Sequence, residues 1–437
     1  MSLPGSFLLA ASLLAPMFTA TPALAGGVRF PQQIPQPSRE SLVAVLCDPQ
    51  QNGEDRMGAL MMLAYQARPL TLKSVTSVHH LARGMFLADY ARCLGLCGVE
   101  ALPHLLALRT NRDPDAAAEV MYARVIFDAD GVGLALASLR DYKQHPYVRV
   151  AALRALADRS SPFAVTESLR RLELEKGVVL FECLAVLRRN PNSDHIPYLI
   201  NLLEVSSGRA ANEAVAMLQA ITGYRIANDF RTWKHFYLKH KAEGTEFRRE
   251  PDDSTKESSL SYMGVPIYSD RIVFVLDSSS SMNETMTAGD HVTRSSRSVD
   301  ELVHLLPHLP ATATLNVLFF ASEVTAFADG LIDLDAEVQE QIATFSLGRS
   351  PKGGTNLFGG LDSAFRQDGV EEIILLTDGS PSMGELVKPI DILARVQRYN
   401  RWRSIRINTV SLRAPRRAEA FLNRLAAENL GVCKALR

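Results

Sequence analysis

The sequence predicts a multidomain chain, an all-α helical solenoid followed by an α/β doubly wound domain with a mostly parallel sheet. Three observations carry this expectation. A Leu- and Ala-rich helical pattern recurs between about residues 38 and 225, short β-branched runs alternate with amphipathic helices after residue 263, and a polar, charged stretch lies between. At 437 residues the chain is too long for one ordinary core. Its 47% hydrophobic and 22% charged residues are a globular composition, which excludes a disordered or fibrous chain. The formal net charge of −1 supplies no bulk attraction to nucleic acid or anionic membranes. No nucleic-acid partner is expected, and recognition must come from a local site.

The first 25 residues read as a signal peptide. Phe7 to Phe18 is an apolar run of suitable length, and Ala23-Leu24-Ala25 forms an A-x-A cleavage signal before Gly26, although no Lys or Arg precedes the run. The run is short and contains Pro16, which disfavours a permanent span. The expectation is a periplasmic or secreted protein with no strong membrane association after cleavage. Residues 26–37 are a Pro- and Gln-rich linker. Five cysteines (Cys47, Cys93, Cys97, Cys183, Cys433) cannot all pair within one chain and form no CxxC pattern. Cys93 and Cys97 could bridge or simply pack, and Cys183 reads as a small core residue.

From residue 38 to 241 the text is helical and repetitive. The segments ALMMLA, ARCLGL, ARVIFD, ALRALA, CLAVLR and AVAMLQ begin at Ala59, Ala91, Ala123, Ala152, Cys183 and Ala214, spacings of 32, 32, 29, 31 and 31. A second helix follows several of them, at Ala101, Ser161 and His195. Such a period marks helix pairs that bury their apolar faces against neighbouring pairs. Trp233, Phe236 and Tyr237 then close the array, as an end unit must. Residues 242–262, rich in charge and almost free of large apolar side chains, are a linker.

Residues 263–437 change character. Arg271–Asp277, Thr314–Ala321, Glu371–Asp378 and Ser404–Leu412 are short apolar runs suited to strands buried on both faces. Val299, Leu302, Val303 and Leu306 stand at i, i+3, i+4 and i+7, and comparable helical patterns occupy 356–366, 387–399 and 416–427. Alternation of this kind means a sheet covered by helices on both sides, with ligands beyond the carboxyl ends of its strands.

Two strands end in unusual text. The first runs into Asp277-Ser278-Ser279-Ser280-Ser281-Met282 and a later one into Thr377-Asp378-Gly379-Ser380. Between them, Lys352-Gly353-Gly354-Thr355-Asn356 delivers a hydroxyl just before a helix. Carboxylates and neutral hydroxyls are hard oxygen donors, suited to Mg2+ or Mn2+ rather than zinc or copper. A mostly hydroxyl shell leaves much of the cation's charge uncompensated and a position for an acidic side chain of a protein partner.

DSSSSM resembles the DxSxS signature of the metal-ion-dependent adhesion site of von Willebrand factor type A domains, and GGT and TDG match its other elements in order. The resemblance implies a Rossmann-like domain over residues 263–437 and a metal held by Asp277, Ser279, Ser281, Thr355 and Asp378. It further implies direct ligation by the two serines, direct ligation by Thr355 in a high-affinity state, and the aspartates acting directly or through water. The helical array resembles HEAT or armadillo-like repeats, and the combination resembles exported bacterial proteins that join the two. The polar stretch Asn283 to Ser298 departs from the pattern, as does the short end LAAENLGVCKALR.

Two other function classes compete with metal-dependent adhesion. A scaffold would bind through the solenoid, the metal merely stabilising the second domain. A Mg2+-dependent phosphoester hydrolase would need a base or cation, for which His291 with Arg294 is the candidate. His291 reads better as a solvated loop residue. His304 and His308 lie opposite the apolar stripe without an HExxH motif, and GxSxG and GxxxxGK[ST] are absent. No enzyme is expected.

Overall fold

The computed structural model describes residues 34–110, 112–244, 260–286 and 291–437. The expected signal peptide, most of the Pro-rich linker and the core of the charged linker lie outside these residues. The chain divides into two compact units, one ending at Ala155 and one running from Leu156 to Arg437.

The first unit is helical: α1 (Arg39–Cys47), α2 (Gly53–Gln66), α3 (Leu72–Thr76), α4 (Leu87–Gly95), α5 (Leu102–Leu106), α6 (Pro114–Phe127), α7 (Gly131–Arg140) and most of α8 (Pro146–Asp158). Side-chain caps start several of them. Ser38, Asn52 and Asp113 each accept a hydrogen bond from the backbone N–H three residues on, satisfying a donor that the first turn cannot. α2 packs on α4 and α4 on α6. The second unit opens with α9 (Pro162–Arg171), α10 (Gly177–Arg189), α11 (Ile196–Val205), α12 (Gly208–Thr222) and α13 (Phe230–Glu243).

The six repeated segments fall on α2, α4, α6, α8, α10 and α12, every second helix of the array, and their Ala, Leu and Val residues are largely buried. The N-terminal region is thus helical and repeat-like. In α13 Trp233 is fully buried, whereas Phe236 and Tyr237 are only partly covered. The cysteines are free thiols. Cys97 donates to the carbonyl of Cys93 instead of bridging to it, and Cys183 is a buried core residue.

After residue 260 a short hairpin of β1 (Ser261–Tyr262) and β2 (Val265–Pro266) leads into β3 (Arg271–Asp277). Then follow α14 (Arg294–Leu305), β4 (Thr314–Phe320), β5 (Val324–Ala326), β6 (Ile332–Asp333), α15 (Ala336–Leu347), α16 (Leu357–Phe365), β7 (Glu372–Thr377), α17 (Pro389–Asn400), β8 (Arg406–Leu412), α18 (Arg416–Glu428) and β9 (Cys433–Leu436). Among the described residues the sheet runs β5-β4-β3-β7-β8-β9, with β6 also paired to β4. β3, β4, β7, β8 and β9 are parallel, and β5 and β6 run antiparallel along the outer side of β4. The short C-terminal end still supplies a strand. Alternate residues of β3 serve the two faces: Ile272, Phe274 and Leu276 join the cluster that holds Val299, Leu302 and Leu305 of α14. On the opposite face α16 comes so close that a Cβ on Gly360 would stand 2.9 Å from Val275 Cγ1.

α12 meets the amino ends of these strands. The buried Arg209 donates from Nη1 to the carbonyls of Ser404 (2.6 Å) and Glu371 (3.3 Å), and from Nε to Glu213 (2.7 Å). Asn212 reaches the carbonyl of Tyr268, and Arg406 approaches Glu213 at 3.5 Å. These buried and half-buried donors replace the water that the start of a strand would otherwise need. The opposite, carboxyl edge is left to the loops.

Candidate metal centre

The strand order reverses at β3. Its first successor β4 lies on one side, and β7 on the other. The crevice beyond the carboxyl ends of β3 and β7 is the place where an open α/β sheet binds ligands. Register puts Leu276 beside Leu376, so the next residues, Asp277 and Thr377, end the two strands side by side. Thr377 Oγ1 donates to Asp277 Oδ2 at 2.5 Å, and the Ser279 N–H donates to Asp277 Oδ1 at 2.8 Å. Asp277 is buried, and burial pushes its carboxyl up to about 6. Hydrogen bonds from Ser279 and Thr377 oppose that rise, while the neighbouring charge of Asp378 adds to it.

The loop after β3 turns through a short 3-10 segment, Ser280–Asn283, which brings two hydroxyls back over the strand ends. Ser279 Oγ and Ser281 Oγ stand 3.2 Å apart, and Ser281 Oγ donates to Asp378 Oδ1 at 2.8 Å. The Gly-rich turn is tied into the same edge. The Ser280 N–H donates to the Gly353 carbonyl at 3.0 Å, and the Lys352 N–H to the Ser278 carbonyl at 2.9 Å. Gly353 has φ +79°, and a Cβ there would run into Ser322, so the turn requires glycine. Thr355 is buried, with its N–H on Ser382 Oγ (2.9 Å) and its carbonyl accepting from the Ser382 N–H (3.0 Å). Asn356 then caps α16 through the Gly359 N–H. All three motifs meet at one edge, as the sequence reading expected.

This oxygen set can hold a small divalent cation. Ligands 2.0–2.1 Å from an octahedral centre and at right angles lie about 3 Å apart. The two separations just given, 3.2 and 2.8 Å, are edges of that size. Among the described residues no group of three or more His, Cys, Asp or Glu could hold a metal ion, so a cation here would have to rely on two carboxylates and on hydroxyls.

Three contributors escaped the sequence reading. Thr377 lies within the TDG text, yet its grip on Asp277 follows only from strand register. Ser382 follows a turn without a motif. The sequence pairs Arg294 with His291 as the candidate cation of a hydrolase, but His291 is exposed in its loop. The Arg294 guanidinium instead sits on the fully buried carboxylate of Asp378, Nη1 to Oδ2 at 2.6 Å, with Nη2 2.7 Å from Glu284. His304 and His308 are exposed on the outside of their helix.

Comparison with known proteins places this fold. Residues 270–434 match the family model of the von Willebrand factor type A domain. Inter-alpha-trypsin inhibitor heavy chain H4 of Homo sapiens is 30% identical over 126 residues, 26% of this chain and 13% of that protein. Inter-alpha-trypsin inhibitor heavy chain H3 of Bos taurus is 28% identical over 134 residues, 28% of this chain and 14% of that protein. The chain therefore matches only a small part of the length of these relatives. Among solved structures, von Willebrand factor type A from Catenulispora acidiphila is 18% identical, with 40% of each chain covered and a TM-score of 0.32. BatB from Bacteroides thetaiotaomicron is 17% identical over 38% of this chain and 88% of that chain, with a TM-score of 0.30. The α/β part of this protein, residues 270–434, is a von Willebrand factor type A domain.

Proposed function

We propose that this protein is an extracytoplasmic adhesion or protein-binding protein, whose type A domain takes its partner through Mg2+ or Mn2+ held by Asp277, Ser279, Ser281, Thr355 and Asp378. The observation that carries the reading is the convergence of three separate loops on one strand edge, where Ser279, Ser281 and Asp378 stand at the spacing of an octahedral edge. A bound divalent cation would supply an electrophilic position open to a carboxylate. The residues themselves do the rest. Thr377 and the Ser279 amide orient Asp277, Ser281 orients Asp378, and the Gly353 turn holds Thr355 against both loops.

Binding rather than turnover is favoured because His291, the one residue considered as a base, is exposed in its loop, and the buried cation beside the site, Arg294, lies on the Asp378 carboxylate. Export is supported by the A-x-A signal after the apolar N-terminal run. Among the described residues no helix is long and apolar enough to cross a membrane. The helical region, read as HEAT-like, would act as the scaffold that presents the domain.

Calorimetric titration of Mg2+ and Mn2+ into the whole chain, beside Asp277→Ala, tests the proposal. Saturable binding lost in the variant is the expected result. Absence of binding both in the folded parent and in an Arg294→Gln variant, which lacks the guanidinium on Asp378, would sink the metal reading and leave the helical array as the binding element.

A further inference from the structure

Arg294 is the one part of the metal centre that a cation site does not call for. We propose that it is a displaceable counter-cation: it closes the metal-free site by neutralising Asp378, and metal binding drives it off Asp378, leaving it paired with Glu284 alone. This rests on the reading of the site given above.

The Asp378 side chain is completely buried and cannot stand alone as a charge without a large penalty. Its Oδ1 accepts from Ser281, while its Oδ2 is held by Arg294, which also lies 3.4 Å from the Ser281 carbonyl. The guanidinium therefore occupies the same carboxylate, and the same loop, that would ligate a cation. A divalent ion among Ser279, Ser281 and Asp378 would face a like charge a few ångströms away in a medium that screens poorly. Either the ion binds weakly or the arginine leaves.

A destination is already in contact. Nη2 is 2.7 Å from Glu284 Oε2, and the Glu284 side chain is two-thirds exposed, at 66%. Leaving Asp378 thus means keeping one ion pair and giving up another, with water near the retained one. The guanidinium is also incompletely held, since its buried Nε finds no partner among the described residues.

The movement has a local outlet. Arg294 is the first residue of α14, its N–H donates to the Glu284 carbonyl, and Thr285 and Thr293 form an antiparallel bridge beside it. Thr293 caps the helix through the Ser296 N–H. Release of Asp378 would loosen this first turn and the face of the domain around it, coupling metal occupancy to the surface that a partner meets.

The experiment is calorimetry of Mn2+ and Mg2+ with the whole chain, its Arg294→Gln variant and its Glu284→Gln variant, together with amide exchange of residues 294–297 with and without metal. The expected result is affinity raised at least tenfold in Arg294→Gln, lowered in the surface variant Glu284→Gln, and metal-induced faster exchange of that turn in the parent but not in Arg294→Gln. Metal binding only after Arg294→Gln would support the proposal in its strongest form. Equal or weaker affinity in Arg294→Gln, or exchange in the parent indifferent to metal, overturns the counter-cation role while leaving the metal site standing. If neither the parent nor Arg294→Gln binds metal while both remain folded by circular dichroism, the metal reading fails, and this proposal with it.

Discussion

Asp277 carries the tension of the site at the scale of one residue. Burial raises its carboxyl to about 6, above the ordinary 3.8, so the folded metal-free protein holds the acid form up to about pH 6. Stability from this group is fully present below the unfolded value and is lost as pH rises through about 6. Replacement by Asn removes the titration and keeps the shape. In chelator, the stability of Asp277→Asn minus that of the parent should therefore widen between pH 4 and pH 7, by about 1–3 kcal/mol. Denaturant melts at several pH values measure this, and a pH-independent difference would refute it. Cations need the ionised form, so Mg2+ affinity of the parent should fall as pH drops through the same range. The carboxylate itself was legible in the sequence, because a DxSxS text at a strand end is unusual. Its partner Thr377 was not, since the two residues are 100 positions apart and only register joins them.

At the scale of elements, the strands and helices of the second domain follow from patterning. The runs expected at 271–277, 314–321, 371–378 and 404–412 are β3, β4, β7 and β8, to within two residues at their ends. What patterning omitted were short edge strands and α15, whose existence depends on neighbours. β5 and β6 pair only with the outer side of β4, too briefly to leave a period of two. One close element contact is that of α16 with the sheet, where Gly360 faces Val275 and Phe320. Gly360→Ala puts a methyl group 2.9–3.2 Å from both buried side chains, and the helix must shift outward. A loss of about 1–3 kcal/mol in urea unfolding is expected from overpacking. An unchanged or raised midpoint would show that the contact has slack.

For the whole molecule, the second compact unit runs from Leu156 to Arg437 and so holds α9 to α13 together with the sheet. The link is chemical. Arg209 and Glu213 are buried where α12 meets the amino ends of β7 and β8, and Glu213 also faces Arg188 and Arg406. Burial alone would raise the Glu213 carboxyl, but the guanidiniums of Arg209, Arg188 and Arg406 bring it below its usual range. Breaking such a pair leaves a buried charge and costs about 3–5 kcal/mol. A site-specific protease sequence inserted within 245–259 and then cut should yield two fragments that elute together in gel filtration. Arg209→Ala should weaken that association or separate them. Fragments that part readily in the unaltered background would contradict a welded contact.

The sequence by itself determined the helical repeat, the alternation that makes a parallel sheet, and the three oxygen-bearing motifs at its carboxyl edge. Each is local, since period, β-branching and Gly-rich turns act within a few residues. Only the tertiary structure decided that Arg294 lies on Asp378, that Thr377 holds Asp277, and that α12 seals the opposite edge through Arg209. Those contacts join residues 84, 100 and 195 positions apart. No local pattern encodes which buried charge will find which partner; that depends on the packing of the whole sheet and on the cost of leaving either charge alone.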